Sequence, residues 1–334
     1  MQVFLTGATG FIGGPLVNAL LVRGHRVTAL VRDPASAAAQ ALQADGAELV
    51  VGDVSDREVL RTAMTGADMV LHAAGHYELG LNKAGRARMT QTNVNGTANT
   101  LGIARELRVK RILYVSTAFV FGQSDGRLRD ETWVRSSPPQ SHYEATKSEA
   151  HELALALQRA GAPLVIACPV AVIGPGDHSN LGRLARLYVR NLLPPVSFGE
   201  GTVSFVHRED AVAGLLHCLE RGQLGETYLL SGGALPVREV FKIWQTTPGG
   251  LQFIWWWMPR WWAVRYCAVL EPLQRLFGQT PLFSADLARI AFMDLQFSGA
   301  KAEQDLQLKF RSPRQAWLDT LAGERRALLG LGGP

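Results

Sequence analysis

Lysine is scarce in this 334-residue chain: of 34 basic residues, six are lysine and the rest arginine. No clustered basic run with interleaved aromatics occurs, which argues against a nucleic-acid partner. The arginine excess gives a net charge of +5 and a pI of about 9.3. Arginine suits phosphates and anionic surfaces, although residues this scattered read mostly as a solvated face. Cysteine is also sparse. Cys168, Cys218 and Cys267 are odd in number and far apart, so they offer neither a disulfide framework nor metal-ligand spacing, and no metal is expected. They lie in apolar surroundings, as small core residues of a protein in a reducing cytoplasm would. No uninterrupted apolar run reaches the ~18–20 residues that span a bilayer. The chain opens on "MQVFLTGATG", strand-like from the start, with no charged n-region or apolar h-region, so no leader peptide is expected. Charged residues are 19% and hydrophobic residues 47%. That composition is globular and not disordered, with a charged share low enough to imply extensive burial.

Short β-branched runs alternate with helical stretches over the first two thirds. Strands are expected at "QVFLT", "RVTALV", "AELVV", "DMVLHA", "RILYVS", "PLVIAC", "TVSFV" and "TYLL", with helices between most of them. This rhythm predicts an α/β fold, a doubly wound parallel sheet of Rossmann type. It stops after about Ser231, and residues 236–330 read as helices and loops. We therefore expect a dinucleotide-binding domain over 1–173, with sheet and helix segments 202–232 returning to it, and a smaller, mostly helical substrate region from 174–201 and 233–334.

"TGATGFIGG" places Gly7, Gly10 and Gly13 between the first strand and the first helix. A dinucleotide site needs glycine there for a tight turn, for approach of the pyrophosphate to the backbone, and for close helix–strand packing. Thr9, Phe11 and Ile12 belong to the same turn. The free N–H groups of the helix start would face the phosphates. The second strand ends at Val31, followed by Arg32, where an NAD site usually carries an acidic residue for the ribose 2′-hydroxyl. A guanidinium suits a 2′-phosphate, so NADP is favoured over NAD. Asp33 would reverse this preference if the register slipped by one. "GDV" after the third strand offers Asp53 to an adenine amino group, with Val54 beside it, and an Asp there equally suits a helix N-cap.

"YEATK" supplies Tyr143 and Lys147 four residues apart, on one face of an expected helix. An ammonium near a phenol lowers the phenol pKa and suits it to acid–base work. Upstream, "YVSTAFVFG" ends the fifth strand at the sheet edge where ligands bind, and Ser116 and Thr117 there offer hydroxyls to a substrate oxygen.

"TGATGFIG", "GDV", "HAAG", "NVNGT", "STAFVFG" and "YEATK" follow one another over roughly residues 1–235 in the order of a known family. The chain resembles the extended branch of the short-chain dehydrogenases/reductases, the epimerase/dehydratase-like group. The resemblance implies a Rossmann-type domain and hydride transfer to or from a nicotinamide. It implies Tyr143 as acid/base, Lys147 on the nicotinamide ribose, and Thr117 rather than its neighbour Ser116 as the family's hydroxyl. Asn93 matches a structural and sometimes catalytic asparagine. His72, Ala73 and Ala74 match a cofactor-lining segment, and Pro169 and Val172 a segment that borders the nicotinamide. Phe121 departs from the family's usual aromatic. The resemblance also implies a homodimer through helices around 85–107 and 141–160.

Within this branch, dihydroflavonol reductases and hydroxysteroid dehydrogenases act on hydrophobic carbonyls or alcohols, whereas epimerases and dehydratases act on nucleotide sugars. Arg32 favours the first class. So does "FIWWWMPRWWAVR", which holds five of the chain's eight tryptophans: Trp255, Trp256, Trp257, Trp261 and Trp262. Three consecutive tryptophans on a helix cannot all face inward. They are expected to form a substrate lid with peripheral membrane contact, against core or dimer packing as the alternative. His142 offers a substrate contact, with surface exposure the favoured reading; His178 and His207 have no spaced metal partners; and Arg183, Arg186 and Arg190 at helical spacing read as a solvated face rather than a substrate-phosphate site.

Overall fold

The computed structural model describes residues 1–194, 196–247, 256–276 and 281–331. The first half alternates strand and helix: β1 (Gln2–Thr6), α1 (Gly13–Val22), β2 (Arg26–Val31), α2 (Ala37–Ala44), β3 (Glu48–Val51), α3 (Arg57–Met64) and β4 (Met69–His72). There follow α4 (Lys83–Thr90), α5 (Gly96–Glu106), β5 (Arg111–Val115), α6 (His142–Arg159), β6 (Leu164–Pro169), β7 (Ala171–Ile173) and α7 (Asn180–Val189). Then come β8 (Val196–Phe198), β9 (Thr202–His207), α8 (Arg208–Arg221), β10 (Thr227–Leu230), β11 (Ala234–Pro236) and α9 (Val237–Gln245). The chain ends with β12 (Trp256–Met258), α10 (Arg260–Leu276), α11 (Ala285–Ile290), α12 (Ala300–Leu306) and α13 (Pro313–Leu328).

Seven strands form a parallel central sheet in the order β10-β6-β5-β4-β1-β2-β3. The inner strands are buried on both faces and so read as continuous apolar runs, as in β6, where every residue is buried, whereas the edge strand β3 has both ends exposed. The order reverses between β1 and β4, and ligands bind open α/β sheets at such a crevice, beyond the carboxyl ends of the strands. The Rossmann expectation therefore holds.

Two departures matter for the site. Strand β9 was expected to return to the central sheet, but it pairs with β7 and β11 in a separate three-stranded sheet. Only α8 and β10 return from segment 202–232. The expected helix over the tryptophans begins only at Arg260; Trp256–Met258 is a strand parallel to β8, where alternation, not helical rotation, sets the side chains apart. Trp255, with Phe253 and Ile254, lies outside the described residues.

Three apolar clusters fill the molecule. The largest surrounds the central sheet. A second joins α7, α9 and α13 around Trp244 and Trp317. A third joins Phe198, Met258, Ala263, Cys267 and Leu287. All three cysteines are buried and free, and burial pushes the Cys168 and Cys267 thiols up to about 12. No described helix is long and apolar enough to cross a membrane.

Candidate active site

The glycine turn leaves no room for side chains. Gly7 has φ of +80°, and a Cβ there would lie 2.6 Å from the Ala73 carbonyl carbon and the Ala74 nitrogen. A Cβ on Gly13 would lie 2.0 Å from the Gly7 oxygen. Gly10 closes the turn by donating its N–H to the Gly7 oxygen at 3.1 Å. Helix α1 has no side-chain cap and no acidic residue in its first turn. Gly14 donates its N–H to the Gly10 oxygen at 3.1 Å and Pro15 has no N–H, so it is chiefly the positive end of the helix dipole that remains for an anion, as a dinucleotide pyrophosphate requires. The residues present fit that cofactor.

A cavity of about 520 Å³ begins at this turn. Gly7, Gly10, Phe11, Ile12, Gly13, Ala73, Pro169 and Val172 line it, together with Ser116, Thr117 and Tyr143. Thr9 is exposed on the turn, and Arg32 is exposed just past β2. Neither Arg32 nor Asp53 lines the cavity, though both follow strands at the same sheet edge. The Asp33 carboxylate accepts the Ala35 N–H at 2.9 Å and so caps its own turn. One Asp53 oxygen accepts both the backbone N–H and the hydroxyl of Ser55. Val54 is buried, and a Cβ on Gly96 would lie 2.5 Å from it.

Tyr143 and Lys147 lie one turn apart on α6, whose start is capped by Ser141 accepting the Glu144 N–H at 3.1 Å. Arg135 bonds the buried Glu144 carboxylate at 2.7 Å and fixes that end of the helix. Lys147 is buried, and its Nζ donates to the Val115 carbonyl at 3.0 Å and the Tyr114 hydroxyl at 3.2 Å. Burial raises the Tyr143 phenol above its ordinary value, while the Lys147 charge and a hydrogen bond with Thr117 pull it down. The expected downward shift by Lys147 is therefore present but is outweighed by desolvation. Burial likewise lowers Lys147.

Ser116 and Thr117 diverge. The Ser116 hydroxyl is 3.0 Å from His151 Nδ1, in the layer beneath the sheet edge, whereas Thr117 bonds towards Tyr143. Asn93 sits in a π-helical turn, Gln91–Asn95, between α4 and α5. Its Oδ1 accepts the His76 N–H at 2.7 Å, and its Nδ2 donates to the His76 carbonyl and the Thr146 hydroxyl, both at 3.0 Å. It ties the segment after β4 to α6 and does not line the cavity. His72 is wholly buried, between the hydroxyls of Thr6 at 2.7 Å and Thr97 at 3.0 Å, and stacks on Tyr114. It does not line the cavity, and Ala73 is the residue of that segment that does.

The far half of the cavity is mostly apolar, with Asp177, His178, Ser179, Asn180 and Ser197 as its polar members. Leu181, Leu184, Val196, Phe198, Val203, Phe205, Val240, Phe241, Trp244, Phe283, Leu287 and Ile290 line it, and no lysine or arginine does. Arg186, one of the three spaced arginines, bonds Glu324 on α13 at 3.1 Å. Sequence reasoning missed this wall because it comes from several distant segments. It also missed Tyr77, which meets Tyr143 edge-on at 4.8 Å, and Asp177, a buried carboxylate whose pKa desolvation raises. Trp256, Trp261 and Trp262 are exposed, and Trp257 packs on Phe241 at 5.5 Å. None of these four lines the cavity, so the described tryptophans of this run do not form its lid.

Residues 3–231 match the model of the NAD dependent epimerase/dehydratase family. The chain is 35% identical over 235 residues to a 4-hydroxy-2-methyl-3-oxo-4-farnesyl-3,4-dihydroquinoline-1-oxide ketoreductase of Stigmatella aurantiaca, covering 70% of this chain and 69% of that protein. It is 29% identical to a putative dihydroflavonol 4-reductase of Synechocystis, over 95% of this chain and 93% of the other. The crystal structure of gox2253 superposes with a TM-score of 0.81 at 30% identity, covering 99% of each chain. With the glycine turn, the Tyr143–Lys147 pair and the sheet order on one site, the chain belongs to the NAD dependent epimerase/dehydratase family, the extended short-chain dehydrogenases/reductases, and is an oxidoreductase of that family.

Proposed function

We propose that this enzyme uses NADP to reduce a hydrophobic carbonyl, or to oxidise the matching alcohol, with Tyr143 as acid/base. The observation that carries the reading is the absence of lysine and arginine from the cavity lining among the described residues, beside a dozen apolar side chains. A nucleotide sugar brings a diphosphate, whose charge is best met by lysine or arginine, and the hydroxyl, amide and imidazole groups of Ser179, Ser197, Asn180 and His178 in this lining carry no fixed positive charge to answer it. The names of the two relatives, a prenylated-quinoline ketoreductase and a dihydroflavonol 4-reductase, support the same class. The exposed Arg32, beside an Asp33 occupied in its own turn, supports the 2′-phosphate.

When bound, the nicotinamide supplies or accepts the hydride. In reduction, the Thr117 hydroxyl holds the carbonyl oxygen and the Tyr143 phenol donates a proton to it. The positive charge of Lys147 then stabilises the phenolate that remains. Oxidation runs the same proton in reverse. Asn93 and His72 act as positioning residues, through Thr146 and Thr6.

A binding experiment tests the substrate class. In the presence of NADPH, the protein should bind aromatic or long-chain ketones saturably, and Phe241→Arg should abolish that binding while NADPH binding persists. Tight binding of UDP-glucose, undisturbed by Phe241→Arg, would reject the reading.

A further inference from the structure

The outward face of α10 carries an apolar stripe that no described part of the chain covers. Trp262, Tyr266, Val269, Leu273 and Leu276 recur at spacings of four and three and are between 45% and 79% exposed. At helical periodicity they share one side, and the exposed Trp261 lies beside them. Single exposed apolar residues are ordinary, but a contiguous row along a helix marks an interaction surface.

The opposite side of the same helix is buried. Ala263 and Cys267 pack against Phe198 and Leu287, both of the cavity wall. Gln274 holds Phe283, another wall residue, by accepting its N–H at 3.3 Å and donating to its carbonyl at 3.0 Å. Helix α10 therefore has the cavity wall at its back and the apolar stripe at its front.

The charges around the stripe say what covers it. Arg260 and Arg265 stand at its tryptophan end, with the Arg265 guanidinium 5.8 Å from the centre of the Trp261 ring. Among the described residues neither enters an ion pair. The single carboxylate of α10, Glu271, is held by Arg275 at 2.9 Å and by the Ala285 N–H at 3.3 Å. Pairing this face with a second copy would bring arginines together with no free carboxylate on the helix to answer them. Lipid phosphates would answer them, and tryptophan, tyrosine and arginine all suit the headgroup layer. We propose that the outward face of α10 docks in the headgroup region of an anionic lipid bilayer. The docked protein holds its cavity wall one helix away from the bilayer, which keeps the site close to apolar substrate dissolved there. That last consequence rests on the function proposed above; the docking does not.

Sedimentation of the whole protein with vesicles tests the docking without any turnover. Wild-type protein is expected to sediment with phosphatidylcholine vesicles that contain phosphatidylglycerol, and about tenfold less with phosphatidylcholine alone. Val269→Ser with Leu273→Ser should lower binding to both by at least about tenfold. Arg265→Gln should lower only the anionic preference, by about fivefold. Thermal melts matching wild type show that the variants are folded. Failure to sediment with anionic vesicles would overturn the proposal. So would a solution dimer that Leu273→Ser dissociates, since a second copy would then cover the stripe.

Discussion

Tyr143 is subject to opposing influences: burial raises its pKa, and Lys147 and Thr117 lower it. A phenol that stays protonated at neutral pH is ready to donate. Carbonyl reduction should therefore be flat through neutrality and fall at alkaline pH, while alcohol oxidation rises along the same limb. Lys147→Met removes the opposing charge and should move that limb to higher pH in profiles at saturating cofactor; an unmoved limb would deny Lys147 its electrostatic part. Thr117→Ala should lower kcat/KM about 10²–10⁴-fold. Ser116→Ala should change it far less, because the Ser116 hydroxyl is engaged by His151. Equal losses would return the substrate oxygen to Ser116. Arg32→Ala should raise the KM for NADP by about 10–100-fold, the worth of a charged hydrogen bond, and leave that for NAD unchanged. Parallel changes for both cofactors would remove Arg32 from the 2′-phosphate.

At the scale of elements, two buried histidines tie the sheet edge to pH. His72 in β4 has its pKa lowered from 6.5 to about 3, and His151 in α6 from 6.5 to about 4, in both cases chiefly by burial and then by the Lys147 charge. The folded values lie below the unfolded one, so the unfolded chain binds more protons in between. Stability is full above about 6.5 and is lost as pH falls towards those lower values, by up to ~1.4 kcal/mol per pH unit for each histidine. Urea unfolding across that window should show the slope, and His151→Gln should reduce it by one proton. A slope unchanged by that substitution would mean that His151 titrates normally. The elements themselves were legible unevenly. Strands β1 to β6 and β10 stand where their apolar runs placed them, because each is long enough to show a pattern. Strand β9 shows the same kind of run, yet nothing in "TVSFV" says which sheet it joins. Strands β7, β8, β11 and β12 have three residues each, too few for periodicity to register. The π-helical turn Gln91–Asn95 carries no sequence signal of its own, and the bonds its Asn93 amide makes to the His76 backbone join segments 17 residues apart.

Across the whole molecule, the glycine turn and the Tyr143–Lys147 pair were legible in the sequence and the apolar wall was not. Gly7, Gly13, Tyr143 and Lys147 are fixed by short-range spacing, which a sequence displays directly. The apolar wall draws on residues as far apart as Leu181 and Ile290, and only folding brings them together. The tryptophan run announced an unusual surface but not its place: Trp257 went to packing, while Trp261 and Trp262 went outward. Aromatic density alone does not distinguish those fates, because strand alternation and helix rotation decide them.

The central claim is net hydride transfer to an apolar carbonyl at Tyr143. The most direct measurement follows NADPH consumption by the purified protein with a panel of hydrophobic ketones and aldehydes, alongside Tyr143→Phe. The prediction is oxidation of NADPH in step with alcohol formed, lost about 10²–10⁴-fold in the variant. Constant NADPH, with interconversion of nucleotide sugars instead, would contradict it.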